Sequence, residues 1–449
     1  MKYRIHTAFV LLAGLTWLTA AVIPAHAQQA PVRLTLEDAI HRALEANLSV
    51  LEARAHTDED QGAETRSQAA LLPRVNAQTY ANYQNRNLRA FGISVPGLPL
   101  PNVVGPFSNY DFRIYAQQSL FDLGSLHNFR ASQRALDADK LSEQDARDLI
   151  VRMTASLYLN AQSAAARIEA AQSRVTDSSA LLKLAQDRHD AGTATGVDVL
   201  RAKVQLANDK QALLVADNQY KQSLLGLARN LGLNPGTPLE LAEPLRYQSL
   251  DQPAPDVLAT SALTSRADYE SLASQHATIV EQQRANRARF YPKVSINGNI
   301  GELGRSIGGV ATTGLIQGQV DFSIFDRDRE GEAQQLAARL RRIDNQVADL
   351  RRGVDEDIRS ALLDLDSATQ QVQVAAEGQD LAKRELQEAQ DRFQAGTANN
   401  VEVVTAQDEL ARAQENYILA VSSHVDAKYA LARALGDTEK NILKFAGNE

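Results

Sequence analysis

The stretch Asp187-Arg188-His189-Asp190-Ala191-Gly192-Thr193-Ala194 returns 204 residues later as Asp391-Arg392-Phe393-Gln394-Ala395-Gly396-Thr397-Ala398, and this recurrence decides how the chain folds. The same offset joins Phe121-Asp122 to Phe325-Asp326 and Leu231-Gly232 to Leu435-Gly436, so more than a hundred residues stay in register without an insertion. Upstream, Leu72-Pro73-Arg74-Val75 matches Tyr291-Pro292-Lys293-Val294 at an offset of 219. The 15 additional residues of the first copy therefore fall between Pro73 and Phe121. There the run from Phe91 to Pro101, with Pro96-Gly97 and Pro99, suits a longer surface loop. Self-similarity at a fixed offset means one structural unit used twice.

Each copy spells helix, strand, loop, strand, very long helix, tight turn, helix. Thr35 before Leu36-Glu37-Asp38 sets a hydroxyl cap and two carboxylates at a helix start. Pro73 and Pro292 end the first helices, because the residue before proline is pushed towards extended geometry. Asp122 and Asp326 stand where a helix follows a strand, and a carboxylate there is a good cap. Residues about 124–190 and 328–394 read as nearly unbroken helix, each roughly 100 Å long at about 1.5 Å per residue. The shorter helices, about 34–72 and 198–232, could stack end to end beside one long one. Leu362, Leu365, Ala368, Val372 and Ala375 form a narrow apolar stripe suited to coiled-coil packing. Gly192 and Gly396 allow the chain to reverse, since glycine adopts left-handed geometry freely. Prolines 235, 238, 244, 253 and 255 make residues 234–255 a linker. It separates a first repeat over 28–233 from a second over 256–437, with 438–449 as a tail.

Between the helices the period changes to two. Val75, Ala77, Thr79, Ala81 and Tyr83 interleave with polar residues, and so do Tyr110, Phe112, Ile114 and Ala116 on the return. In the second copy Val294, Ile296, Gly298 and Ile300 alternate with Ser295, Asn297 and Asn299, and Ile316 to Ile324 continues the pattern. One apolar and one polar face is how a membrane barrel wall reads. A pair of amphipathic hairpins on a soluble core is the plainer alternative. Against it stand Asp111, Arg113 and Asp321 on the polar faces, and the aromatics Phe121 and Phe325 where the strands are expected to end. Four strands are too few to close, so oligomerisation belongs to the fold expectation.

Residues 1–27 read as an export signal: Lys2 and Arg4, the apolar run Ala8 to Leu18, then Ala25-His26-Ala27 as a cleavage site. The chain has no cysteine, which excludes a cysteine-linked lipid anchor, disulfides and thiolate metal sites. No later run approaches the roughly 18 apolar residues of a spanning helix, so any crossing must be closed β-structure. The formal charge of −8 argues against nucleic acid as a partner.

These elements together resemble the TolC-like outer-membrane efflux proteins. The resemblance rests on Leu34-Thr35-Leu36-Glu37-Asp38-Ala39-Ile40, the proline-ended helices, the two Phe-Asp junctions and the two Arg-x-x-Ala-Gly-Thr turns, and it covers nearly the whole chain after the signal. It implies a mainly α fold with a membrane β-barrel: a duplicated unit, four strands per protomer, a homotrimer closing a 12-stranded barrel in outer-membrane lipid, and a long helical coiled-coil tunnel in the periplasm. An adaptor protein and an inner-membrane pump would meet the tunnel tip, at the turns Ala191-Gly192-Thr193 and Ala395-Gly396-Thr397. The resemblance further implies an acidic ring at the closed entrance. Glu402 matches its first position, whereas the second falls on Thr405, which is not ionisable, and Asp198 is the first-copy counterpart. The plainer account of both acids is a first-turn carboxylate complementing a helix dipole.

Gly304-Arg305-Ser306-Ile307-Gly308 fits the pattern of a nucleophile elbow but lies in an expected hairpin loop, where that chemistry has no strand-turn-helix frame. The scattered histidines show no metal-ligand spacing, and no phosphate-cradling loop exists. The sequence thus predicts a passive outer-membrane duct of a Gram-negative-type bacterium, without catalysis or cofactor. The competing possibility is a periplasmic coiled-coil adaptor or scaffold outside the membrane.

Overall fold

The computed structural model describes residues 32–88, 90, 92, 101–250 and 255–446. Residues 1–27, expected as an export signal, and most of the Phe91–Pro101 run lie outside the described residues. In chain order the first copy comprises β1 (Val32–Leu34), α1 (Leu36–Ala46), α2 (Leu48–Ala69), β2 (Arg74–Asn87), β3 (Val103–Phe121), α3 (Leu123–Asp190) and α4 (Gly196–Asn230). After β4 (Leu239–Leu241), the second copy comprises α5 (Pro255–Ser265), α6 (Ala267–Ala288), β5 (Lys293–Gly304), β6 (Val310–Asp321), α7 (Asp328–Gln394), α8 (Asn400–Leu435) and α9 (Thr438–Phe445).

The duplication is written into the backbone. Gly192 and Gly396 have φ of +75° and +77°, and Gly232 and Gly436 have +65° and +79°, each pair 204 residues apart. The first helix of each copy is broken, at Asn47 and at Arg266, again 219 residues apart. These breaks are where the glycines pack: an added Cβ at Gly232 would meet Ala46 at 2.8 Å, and at Gly436 the Ser265 carbonyl at 2.7 Å. The expectation of one helix over 34–72 is corrected accordingly. Asn47 caps α2 by accepting from the Ser49 N–H, and its amide donates to Asn230 at the end of α4, so the kink is a joint between helices.

α3 and α7, of 68 and 67 residues, run nearly 100 Å from the sheet to the helical tip. α2 and α6 lie along their sheet-proximal parts, and α4 and α8 along their tip-proximal parts. The lateral order is α2-α3-α6-α7 near the sheet and α4-α3-α8-α7 near the tip. At mid-height a collar holds the main core, with Leu34, Leu36, Ile40, Tyr158, Leu227, Leu231, Tyr429 and Ile442 buried together. Burying so many large side chains at one level contributes about 1.5–3 kcal/mol each against exposure, so the collar is the thermodynamic anchor of the helical layer.

Two parts of that collar differ from the sequence expectation. β1 and β4 form a parallel ribbon of three residues each, and α9 occupies the stretch read as a tail, with Ile442 fully buried. The Tyr158 hydroxyl donates to the Leu34 carbonyl at 3.0 Å and fixes the ribbon to α3.

β2, β3, β5 and β6 form an antiparallel sheet in that order, open at β2 and β6. Its register gathers one face: Val75 lies opposite Ala116, Ala77 opposite Ile114, Ile114 opposite Ile300, Gly298 opposite Ile316 and Val294 opposite Val320. The other face collects Asn76 with Tyr115, Gln78 with Arg113, Asn297 with Gln317 and Ser295 with Gln319. The sequence alternation therefore survives as two chemically distinct surfaces. One boundary differs. β6 ends at Asp321, and residues 322–327 are irregular, so Phe325 stands beyond the strand end while Phe121 closes β3.

Candidate functional site

The two helical turns form one packed tip. In each, the glycine reverses the chain and the following threonine amide and hydroxyl donate to an arginine carbonyl: Thr193 to Arg188 at 2.8 and 3.0 Å, Thr397 to Arg392 at 3.0 and 3.1 Å. These bonds satisfy carbonyls left orphaned at the ends of α3 and α7. Ala191 and Ala395 are the last residues before each reversal. Chemistry then diverges between the copies. Arg188 crosses over, donates to the Phe393 carbonyl and stacks on the Phe393 ring at 4.7 Å. Arg392 stays within its own turn and pairs with Glu402 at 3.1 Å. A second cross-tie is Asn400, fully buried, whose amide donates to the Asp198 carbonyl at 2.8 Å.

The two acids differ in the same way. Asp198 is committed to a capping box: its carboxylate accepts from the Thr195 amide and hydroxyl at 3.1 and 2.7 Å, and its own amide donates to the Thr195 hydroxyl. The Thr195 hydroxyl holds the Asp198 carboxyl below the usual carboxylate range, with partial burial opposing it and Arg201 and Arg188 assisting. Glu402 is only half-buried; its amide is capped by Asn399, which leaves its carboxylate free for Arg392. Thr405 is exposed one turn further along α8.

At the other end both expected junction acids bond to the first turn of a helix, Asp122 as the N-cap of α3 and Asp326 from the residue before the N-cap Arg327 of α7. Asp122 accepts from the Ser125 amide and hydroxyl at 3.0 and 2.9 Å, and Asp326 accepts from the Arg329 amide at 3.3 Å. Lys293, the first residue of β5, reaches Asp122 at 3.3 Å, while Arg289 at the end of α6 pairs with Asp326, Asp328 and Glu332. On the polar sheet face Asp111 is 1 % exposed beneath Arg113, which pairs with it through two nitrogens. Ser306 lies in the β5–β6 turn, outside any strand-turn-helix frame. Among the described residues there is no cluster of three or more His, Asp or Glu able to hold a metal, and no helix is long and apolar enough to cross a membrane.

A family model described as "Outer membrane efflux protein" matches residues 39–233 and 258–437, most of the chain. The chain belongs to that family. One relative is OpmQ of Pseudomonas putida, a pyoverdine export outer membrane protein, 24 % identical over 348 residues covering 73 % of this chain and 71 % of that one. TtgF of Pseudomonas putida, a toluene efflux pump outer membrane protein, is 24 % identical over 387 residues, 83 % of this chain and 77 % of its own. Among solved structures, VceC of Vibrio cholerae superposes with a TM-score of 0.76 at 20 % identity, over 89 % of this chain and 96 % of that chain. The CmeC channel of Campylobacter jejuni gives 0.77 at 16 % identity, over 92 % and 89 %.

As an outer membrane efflux protein the chain is a transport component, the outer-membrane channel of an export system, and the soluble scaffold alternative falls away. The structure brings Asp198, Glu402 and the two Ala-Gly-Thr turns into one tip, and it leaves Phe121, Asp122, Phe325 and Asp326 at the opposite end. Arg188, Phe393 and Asn400 carry the contacts between the turns; Arg188 and Phe393 lie inside the repeated octapeptides, but repetition alone does not mark them as partners.

Proposed function

We propose that three copies of this chain, exported by removal of residues 1–27 and carrying no lipid anchor, close their sheets into a 12-stranded barrel in the outer membrane. Their helices then form a periplasmic tunnel whose tip an adaptor protein and an inner-membrane pump engage. The observation that carries this is the open four-stranded sheet with one apolar and one polar face. An open, flat apolar face and two unpaired edges are unstable in water, but satisfied by lipid and by like sheets. Sheet and helical layer are open on the same sides: β2 with α2 and α4, β6 with α7. In the protomer Ile316 on β6 is 83 % exposed, which suits lipid, and Val374 on α7 is 71 % exposed, which suits a neighbour's helical layer. Joining one edge to the opposite edge of the next copy is a head-to-tail contact, and such contacts build rings.

The polar face would line the duct. Asn, Gln and Ser dominate it, the Asp111 charge is cancelled by Arg113, and Asp321 lies opposite Lys293 at the strand end, so this wall has little means to choose cargo. Selection then rests with the pump, and small molecules such as the pyoverdine and toluene named for the relatives are the cargo class we favour. Glu402, half-exposed at the tip, would supply a single acidic ring at the entrance, since Thr405 adds no second charge and Asp198 is held as a cap. Three converging carboxylates attract cations, offset in part by the exposed Arg392 that pairs with each at 3.1 Å. The test is purification of the full chain from outer membranes, with its mass in detergent and its gel mobility before and after boiling. A trimer band that boiling converts to a faster-migrating monomer supports the duct; a monomeric product that is soluble without detergent sinks it.

A further inference from the structure

Beside the collar, the linker residues 242–248 cross over α8 and roof a cavity of about 330 Å³. Leu36, Leu245, Val425 and Phe445 form the smaller, apolar part of a mostly polar wall, and Lys428 and Arg246 bring two cations to it. Lys428 is 3 % exposed, yet its ammonium has a single long bond, to the Gln248 carbonyl at 3.3 Å. Neither cation has an ion pair among the described residues. An ammonium has three donors, so at least two of those on Lys428 have no protein acceptor. A buried, unpaired ammonium is costly, and the ordinary remedies are a counter-anion or loss of the proton. Burial does lower the Lys428 pKa. Four residues earlier on α8, His424 is 1 % exposed with both ring nitrogens unpartnered, so it offers no negative charge. Glu243 lines the same cavity but lies beyond ion-pair reach of Lys428.

We infer that this cavity is a binding site for a small organic anion, a carboxylate on a compact apolar body. Lys428 holds the carboxylate from inside, Arg246 meets it from the exposed side, and the leucines, valine and phenylalanine enclose the body. A bound anion would bridge the linker to α8, the helix that continues to the second tip turn.

The probe is 3-phenylpropionate, with 3-phenylpropanamide as its neutral counterpart and 3-phenylpropylamine as its cationic one. Each is titrated calorimetrically into the purified full chain at pH 7, and each is tested for a shift in melting temperature. The acid should bind at least about tenfold more tightly than the amide and the amine not at all, because hydrogen bonds to ionised groups are roughly twice as strong as neutral ones. Lys428→Met should cut the acid's advantage over the amide at least about fivefold, leaving only the weaker preference of the exposed Arg246, while the unliganded melting temperature stays equal or rises. Equal binding of acid and amide, no binding of any probe, or a preference for the acid that is undiminished in Lys428→Met would each overturn the assignment. Should Lys428→Met fail to fold, reductive methylation of Lys428 in the unaltered chain, read by mass spectrometry, decides instead. The acid should slow it at least about tenfold and the amide should not; equal rates with both would refute the site.

Discussion

Replacing Arg188 by alanine should loosen the second turn from the first while leaving both helices intact. The guanidinium donates to the Phe393 carbonyl and stacks on the Phe393 ring at 4.7 Å. A hydrogen bond involving a charged group contributes about 1.5–3 kcal/mol and a partly exposed cation–π contact about 0.5–1 kcal/mol. Arg188 is half-buried, so the lower ends apply and the two together come to about 2 kcal/mol. At about 1.4 kcal/mol per factor of ten, local opening of the second turn becomes roughly 30-fold more frequent. Hydrogen exchange reads this directly at the amides of Gly396 and Thr397, which donate to the Phe393 and Arg392 carbonyls, and at Glu402, which donates to Asn399. Those three should exchange roughly 30-fold faster, with sheet amides unchanged. Arg188→Lys should fall between, since lysine keeps the charge but loses the planar stack. Arg201→Ala is the control, because Arg201 reaches Asp198 only at 3.7 Å and from a half-exposed position, and it should change exchange less than about twofold. Unaltered exchange in Arg188→Ala would refute the idea that this side chain rivets the two turns.

Gly192→Ala and Gly436→Ala separate backbone strain from crowding: both positions have positive φ, but only Gly436 has a carbonyl 2.7 Å from the new Cβ. The first should cost about 1–2 kcal/mol and the second about 2–5 kcal/mol in thermal unfolding, and equal costs would contradict the close approach. Two buried groups should tilt the pH dependence of stability in opposite directions. Burial raises the Asp148 pKa to about 6, so its native state keeps a proton the unfolded chain has lost, and this contribution fades as pH rises from about 4 to 6. Burial lowers His424 to about 4, so its contribution is complete above about 6.5 and is lost as pH falls towards 4. Melting curves of Asp148→Asn and His424→Phe between pH 4 and 7 should show those slopes removed one at a time; unchanged slopes would contradict both. Glu402→Gln should lower cation preference in planar-bilayer recordings without altering heat stability, and unchanged selectivity would remove Glu402 from the entrance. Ile316→Arg, on the apolar sheet face, should cost about 2–4 kcal/mol on insertion and reduce heat-modifiable trimer, whereas full assembly would place that face away from lipid.

Much of the architecture was legible because it repeats. An octapeptide returning at 204 residues fixed the turns, and period-two alternation fixed the sheet faces; both depend on local chemistry. The collar was harder to see for the opposite reason. Val32–Leu34 is too short to show a period, and its partner Leu239–Leu241 lies about 200 residues away. The kink at Asn47 looked like uninterrupted helix because the cause, Gly232 packing on Ala46, is a tertiary contact. At the tip, Arg188 and Arg392 occupy the same place in the motif yet choose different partners. Which one crosses over depends on how the copies pack against each other, and no single copy contains that information. The position of Phe325 was misjudged because alternation continued through Ile324 after the pairing had ended at Asp321.

The length of α3 and α7 has a mechanical consequence. Each is a stiff rod of about 100 Å rooted in a hydrogen-bonded sheet at one end and free of it at the other. Pivoting such a lever by about 5° about its root carries the far end sideways by roughly 9 Å, close to the width of a helix. A widening large enough to pass a small molecule therefore requires almost no rearrangement at any one residue, and it leaves every backbone bond along the rod in place.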